Sequence, residues 1–149
     1  MGLIINQILE TVNFSELMKA LKIQADCSES SRKVHFGGPV QAEQGFVLHS
    51  ADYSGEETVK IENNICLTAT IDILRLVANG SGPRNSLFAL GYAGWGPGQL
   101  DWEIQENGWM FGPAEEKLLF GDNDTNKWAL AASGAGIDVG VVASQGGSA

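Results

Sequence analysis

Two β-branched runs, TVKIE at 58–62 and ICLT at 65–68, stand only Asn63 and Asn64 apart. A two-residue connection between strands leaves room for little except an antiparallel hairpin. The rest of the chain alternates strand and helix patterns irregularly, so the hairpin favours an α+β fold over a wound parallel sheet. Helices are expected at 14–22, where Asn13 caps a face of Phe14, Leu17, Met18 and Leu21, and after Thr70, where Ile71, Leu74 and Val77 lead to a stop at Gly80. Strands are expected at 3–6, 34–36, 46–49, 87–90 and 109–111. Residues 27–33 read as a polar loop and 117–120 as a short apolar segment. A last helix begins at Asp124 or Thr125 and runs through Trp128, followed by a glycine-rich tail at 134–149 that gains structure only by docking on the body.

At 149 residues the chain is long enough for a single domain with a real core, and no linker or repeat divides it. Its 18 acids against 9 bases give a net charge of −9, and the bases are scattered. Affinity for a phosphate backbone comes from clustered cations, so direct nucleic-acid binding is not expected, and an anionic membrane surface is disfavoured for the same reason. Cys27 and Cys66 have neither CxxC nor metal-ligand spacing, and the first residues lack a signal-peptide pattern, so a cytoplasmic location is expected. His35 and His49 offer no HxH or HExxH spacing, so no metal and no cofactor is assigned.

GYAGWGPGQLDWEIQENGW at 91–109 reads as a strand end, a glycine loop and a helix, with Pro97 just inside the helix and Asn107-Gly108 ending it. The dinucleotide fingerprint fails for want of its third glycine, and the P-loop fails because no lysine lies in the stretch. Asp101, Glu103 and Glu106 also place negative charge on the helix that would have to attract an anion. Glu103 shares a helical face with Leu100 and Ile104, so it must be hydrogen-bonded or carry a raised pKa. In one reading it accepts hydrogen bonds from the loop amides or from Tyr92 and pins the turn. In the other it is a general acid or base in a cleft beside Trp95. Trp102 points away from that face and is the candidate for a contact between subunits.

His49 alternates onto the face of Val47, where a half-buried, backbone-satisfied histidine competes with a catalytic one. Cys66 lies in a strand pattern as inert packing, and Cys27 sits among acids, a poor setting for a nucleophilic thiolate.

Four motifs in order, GGPV at 37–40, GFVLH at 45–49, LTATIDIL at 67–74 and GYAGWGPGQLDWEIQENGW at 91–109, resemble the AlgH/YqgE-like family of small bacterial proteins over nearly the whole chain. The resemblance implies an α+β fold with a bifurcated, largely antiparallel sheet and a small barrel-like part surrounded by helices. It implies no established catalysis, and the AlgH name implies a role in regulating transcription that does not establish DNA contact. It also implies that about thirty family residues precede MGLIIN at 1–6, whose absence would leave apolar edges uncovered. Ala69 and Ile71 depart from the family, which commonly has a hydroxyl and a basic residue there.

The expected function is that of a regulatory or adaptor module that binds a protein or a small ligand, with a homo-oligomer as a further expectation. The alternative is a small-molecule hydrolase using Glu103 or His49 as general base. Either site is expected where the GGP turn, the GFVLH strand and the GYAGW loop converge, lined by Gly37, Gly38, Pro39, His49, Tyr92, Trp95, Gln99 and Glu103.

Overall fold

A computed structural model describes residues 1–138 and 140. The chain divides into two compact units, Met1–Ala93 and Gly94–Ala149. The first holds all five strands found among the described residues: β1 (Val34–Phe36), β2 (Val40–Ser50), β3 (Val59–Glu62), β4 (Ile65–Thr68) and β5 (Ser86–Tyr92), in the order β1-β5-β2-β4-β3. Only β1 and β5 run parallel; β5-β2, β2-β4 and β4-β3 are antiparallel. The fold is thus α+β with a largely antiparallel sheet. These strands form an open sheet with β1 and β3 as its edges, and they do not close into a barrel.

The hairpin forms as its spacing dictates. Glu62 faces Ile65 across Asn63-Asn64, and Asn63 takes a left-handed φ of 48°, which asparagine tolerates better than most residues. β2 is longer than expected because residues 40–44 continue past a bulge to pair Val40 with Tyr92. Across the sheet, Val34, Phe88 and Val47 stand in one row. Two helices, α1 (Phe14–Ala20) and α2 (Ile71–Ala78), supply Phe14, Met18, Ile73, Leu74 and Val77 to the same core, where Phe14 meets Phe88 edge to face at 5.6 Å. Both helices start where expected: Asn13 Oδ1 accepts from the amides of Ser15 and Glu16, and Thr70 Oγ1 accepts from that of Ile73.

The second unit contains α3 (Gln99–Gln105), α4 (Glu116–Leu119), a 3-10 turn at Asp124–Asn126 and α5 (Lys127–Gly134). Asp124 and Lys127, both buried, form an ion pair of 2.8 Å at the start of α5. The last α-helix therefore begins two or three residues after the expected Asp124 or Thr125, which lie in the 3-10 turn before it, and continues well beyond Trp128. Of the expected tail, residues 139 and 141–149 lie outside the described residues.

Four helices end alike. The residue after the C-cap is left-handed at Lys22, Gly80, Asn107 and Gly136, and the next amide reaches back to the carbonyl of Met18, Leu76, Glu103 and Ala132 respectively. In α1 this ending brings the buried Ile23 back toward Met18 but forces a lysine to φ 58°. Lys22 is exposed, so Lys22→Gly relieves the backbone without removing buried contacts. It is expected to stabilise the protein by about 1 kcal/mol in urea unfolding; a destabilisation would show that the entropy glycine adds to the unfolded chain outweighs the strain relieved.

Two expected strands do not form. Residues 3–6 run beside β1, with Ile4 N–H donating to Gly37 O and Phe36 N–H to Gln7 O, but only isolated bridges result, at Gly2–Ala93 and Ile8–His35. Trp109, Met110 and Phe111 are exposed coil. An apolar triplet has the composition of a strand, yet a strand needs a hydrogen-bonding neighbour, and none lies beside it among the described residues.

Candidate functional site

Of the expected site residues, Gly37, Gly38, Pro39, His49 and Tyr92 belong to the first unit, and Trp95, Gln99 and Glu103 to the second. Each group has its own architecture.

His49 is fully buried rather than half-buried. β2 lies between β5 and β4, and both faces of its final stretch, residues 46–50, are covered, so alternation there no longer separates a wet face from a dry one. The ring Nδ1 lies 2.8 Å from Ser50 O, and a carbonyl can only accept, so Nδ1 carries the hydrogen. In the neutral ring Nε2 then accepts from Thr68 Oγ1 at 2.8 Å. Thr68 Oγ1 in turn accepts from Thr58 Oγ1, and Thr58 Oγ1 accepts from Gly55 N–H, each at 2.8 Å. The direction of every bond in this chain follows from its two ends. Tyr53 packs its ring edge-on against the imidazole at 5.6 Å. Both nitrogens of His49 are engaged, so it holds no proton acceptor open to a substrate.

The GGP turn crosses the end of β5 with backbone against backbone. A Cβ on Gly37 would strike Gly91 O, and one on Gly38 would strike the peptide between Tyr92 and Ala93. Gly37 N–H donates to Leu90 O at 2.8 Å and holds the crossing together. Tyr92 packs edge to face on Phe46 at 5.8 Å. The glycines are needed here because the chains approach too closely for side chains.

In the second unit, Gly98 at φ 73° precedes α3, so Pro97 lies outside the helix rather than in its first turn. Glu103 is the hub. Its Oε2 accepts from Trp109 Nε1 at 2.7 Å and Trp95 Nε1 at 3.1 Å, and its Oε1 from Gln99 Nε2 at 2.9 Å. These donors take the place of the loop amides and Tyr92 expected from sequence; the loop amide of Gly96 instead donates to Gln99 Oε1 at 3.0 Å. The turn at Asn107-Gly108 returns the chain toward Glu103 O and delivers Trp109, whose ring meets Trp95 edge to face at 5.6 Å. Glu103 thus ties the two tryptophans and the glycine loop to α3.

The bonds from Trp109 and Gln99, with a smaller one from Trp95, hold the Glu103 carboxyl below its ordinary value of 4.5 against the opposing effect of desolvation. A lowered folded value means that the cluster's contribution to stability is complete above pH 4.5 and is lost as pH falls through the lowered value. Tryptophan emission is therefore expected to change with a midpoint below pH 4.5, and Glu103→Gln to abolish that transition. A midpoint above pH 4.5 would contradict the bonding described.

The AlgH-like family pattern matches residues 1–140 of the chain. The chain belongs to the AlgH-like family. It is 45% identical over 157 aligned residues to a UPF0301 protein of Afipia carboxidovorans, covering 100% of this chain and 75% of that one. It is 46% identical to a UPF0301 protein of Jannaschia sp., covering 100% and 79%. Its structure is similar to the solution structure of the AlgH protein from Pseudomonas aeruginosa, with a TM-score of 0.77 and 33% identity over 100% of this chain and 79% of that one.

Two features of this AlgH-like chain escape sequence reading. A cleft of about 240 Å³ lies above the His49 network, lined by Tyr53, Glu56, Glu57, Thr68, Thr70 and Asp72. A groove of about 200 Å³ lies between α4 and α5, lined by Pro113, Leu118, Leu130 and Ala131 together with the charged pair of residues Glu115 and Lys117. Among the described residues no cluster of His, Cys, Asp and Glu is placed to hold a metal ion. No helix among them is long and apolar enough to cross a membrane.

Proposed function

We propose that this AlgH-like chain is a cytosolic regulatory or adaptor module that works by binding a partner protein through its Gly94–Ala149 unit. The supporting observation is that every exposed large aromatic side chain among the described residues, Trp102, Trp109, Phe111 and Trp128, falls in that unit, together with Met110 and Leu130. Large aromatics and methionine are the residues that protein interfaces collect, and leaving them in water costs free energy that a partner can recover. The cytosolic assignment rests on the two free cysteines, Cys27 and Cys66. No observation favours the hydrolase reading, since both of its candidate bases are tied into hydrogen bonds.

The test is quantitative co-purification from the host with full-length protein and the variants Phe111→Ser and Trp128→Ser. Both residues are exposed, so thermal stability should hold within about 0.5 kcal/mol. Recovery of the partner is expected to fall at least about tenfold, the effect of losing a single well-packed anchor. A partner retained undiminished by both variants refutes the assignment.

A further inference from the structure

We infer that the hydroxyls of Thr58 and Thr68 form a proton wire into the buried ring of His49, which makes His49 a pH sensor that charges while the protein stays folded. The two ends of the wire are fixed. Ser50 O can only accept, so it keeps the hydrogen on Nδ1, and an incoming proton has one place to settle, Nε2. At the far end Gly55 N–H, which can only donate, is bonded to Thr58 Oγ1. Between them stand two hydroxyls at successive contacts of 2.8 Å, and a hydroxyl both donates and accepts.

A proton that bonds to the remaining lone pair of Thr58 Oγ1 lets Thr58 pass its own hydrogen to Thr68 Oγ1, and Thr68 pass its own to Nε2. Each oxygen gains one O–H bond and loses one, so the net result is a single positive charge on the imidazole, with nothing oxidised or reduced. Both contacts survive with their direction reversed: Nε2–H now donates to Thr68 Oγ1 and the Thr68 hydroxyl to Thr58 Oγ1. Had Nε2 accepted from a backbone amide, which cannot reverse, charging the ring would have set two donors against each other.

The outer end of the wire lies beside the acid-lined cleft. Thr58 is half-buried and follows Glu57, and Gly55, Glu56, Glu57, Thr68 and Asp72 all line that cleft. The titratable groups closest to the ring are Tyr53, packed on it from the loop after β2, and Cys66, opposite it on β4; β5 places Ser86 opposite. Beyond them stand Lys60, opposite Cys66 on β3, the three carboxylates of the cleft, and Arg75, which pairs with Asp72 at 3.4 Å. Burial opposes a charged imidazole, and the carboxylates, three against two cations, favour it.

The experiment is nitrogen NMR of the full chain labelled with 15N-histidine, followed from about pH 8 to about pH 5.5. In the folded protein Nδ1 of His49 is expected to carry hydrogen throughout and Nε2 to gain it on acidification. Thr58→Val removes the outer hydroxyl and leaves Thr68 on Nε2, so on charging the Thr68 hydrogen has no acceptor; the same charged fraction should be reached only at a pH lower by at least about half a unit, a threefold change in proton affinity. Thr58→Ser should restore the original behaviour. Glu56→Gln combined with Glu57→Gln, both exposed, should shift charging the same way by at least about 0.3 unit, a twofold change. An Nε2 that stays bare until the signals of the folded state are lost overturns the inference, as does a Thr58→Val protein that charges like the original. If Thr58→Val does not fold, the double glutamine variant decides: charging identical to the original refutes the wire's link to the cleft.

Discussion

Gly91→Ala is expected to destabilise the protein by roughly 3 kcal/mol, whereas Gly80→Ala should cost only about 1 kcal/mol. The two glycines form a matched pair, with φ of 74° and 77°. The cost of placing an L-residue in the left-handed region is therefore common to both. They differ in their surroundings. A Cβ on Gly80 meets nothing within 4 Å, while one on Gly91 would collide with Gly38 O and approach Val40 O at 3.1 Å and the Ala42 Cα at 3.2 Å. All three are backbone atoms, so no side chain can rotate away, and the start of β2 must move. For a domain of this size the difference should appear as a melting temperature lower by several degrees, about 2–4 °C per kcal/mol. Gly38→Ala attacks the same crossing from the other side, so combining it with Gly91→Ala should cost less than the sum of the two. Equal losses for Gly91→Ala and Gly80→Ala would show that the close approach is not what requires glycine.

The GGP and GYAGW motifs attracted a binding role from sequence because glycine loops so often serve ligands. Their spacing was legible; the reason for it was not, since a close crossing of two backbones leaves the same glycines as a ligand would. The hairpin at Asn63-Asn64 and the caps at Asn13 and Thr70 were legible because each depends on neighbours within a few residues. Glu103 was legible as a carboxylate in need of hydrogen bonds, but not its partners. Trp95 and Trp109 lie eight and six residues away, and they reach it only because Gly98 and Asn107 turn the chain at the two ends of α3. Residues 109–111 show the opposite failure. Their composition suits a strand, but pairing is a property of two segments, and sequence shows one. The same limit hid the α4–α5 groove, whose existence depends on how two short helices pack.

His49→Ala is expected to be the most damaging change outside the glycine crossing, at about 3–5 kcal/mol. Two costs add. The imidazole is among the largest fully buried side chains, so its removal leaves a cavity that Tyr53 and the strands around it cannot fully close. It also takes the acceptor from the Thr68 hydroxyl hydrogen and a donor from Ser50 O. Thr68→Val separates the second cost from the first, because it keeps the volume and removes the hydroxyl that links His49 to Thr58. That variant should lose about 2 kcal/mol, since His49 Nε2 loses its donor and the Thr58 hydroxyl hydrogen loses its acceptor. If the polar bonds carry this cost, His49→Leu combined with Thr68→Val should lose less than the sum of the single changes by about 1 kcal/mol or more, because the groups left unpaired by each are removed by the other. Denaturation midpoints of the four proteins in that cycle decide the matter. Strict additivity would mean that His49 stabilises the fold by its bulk alone, and the directional chain from Gly55 through Thr58 and Thr68 to Ser50 would then contribute nothing to stability.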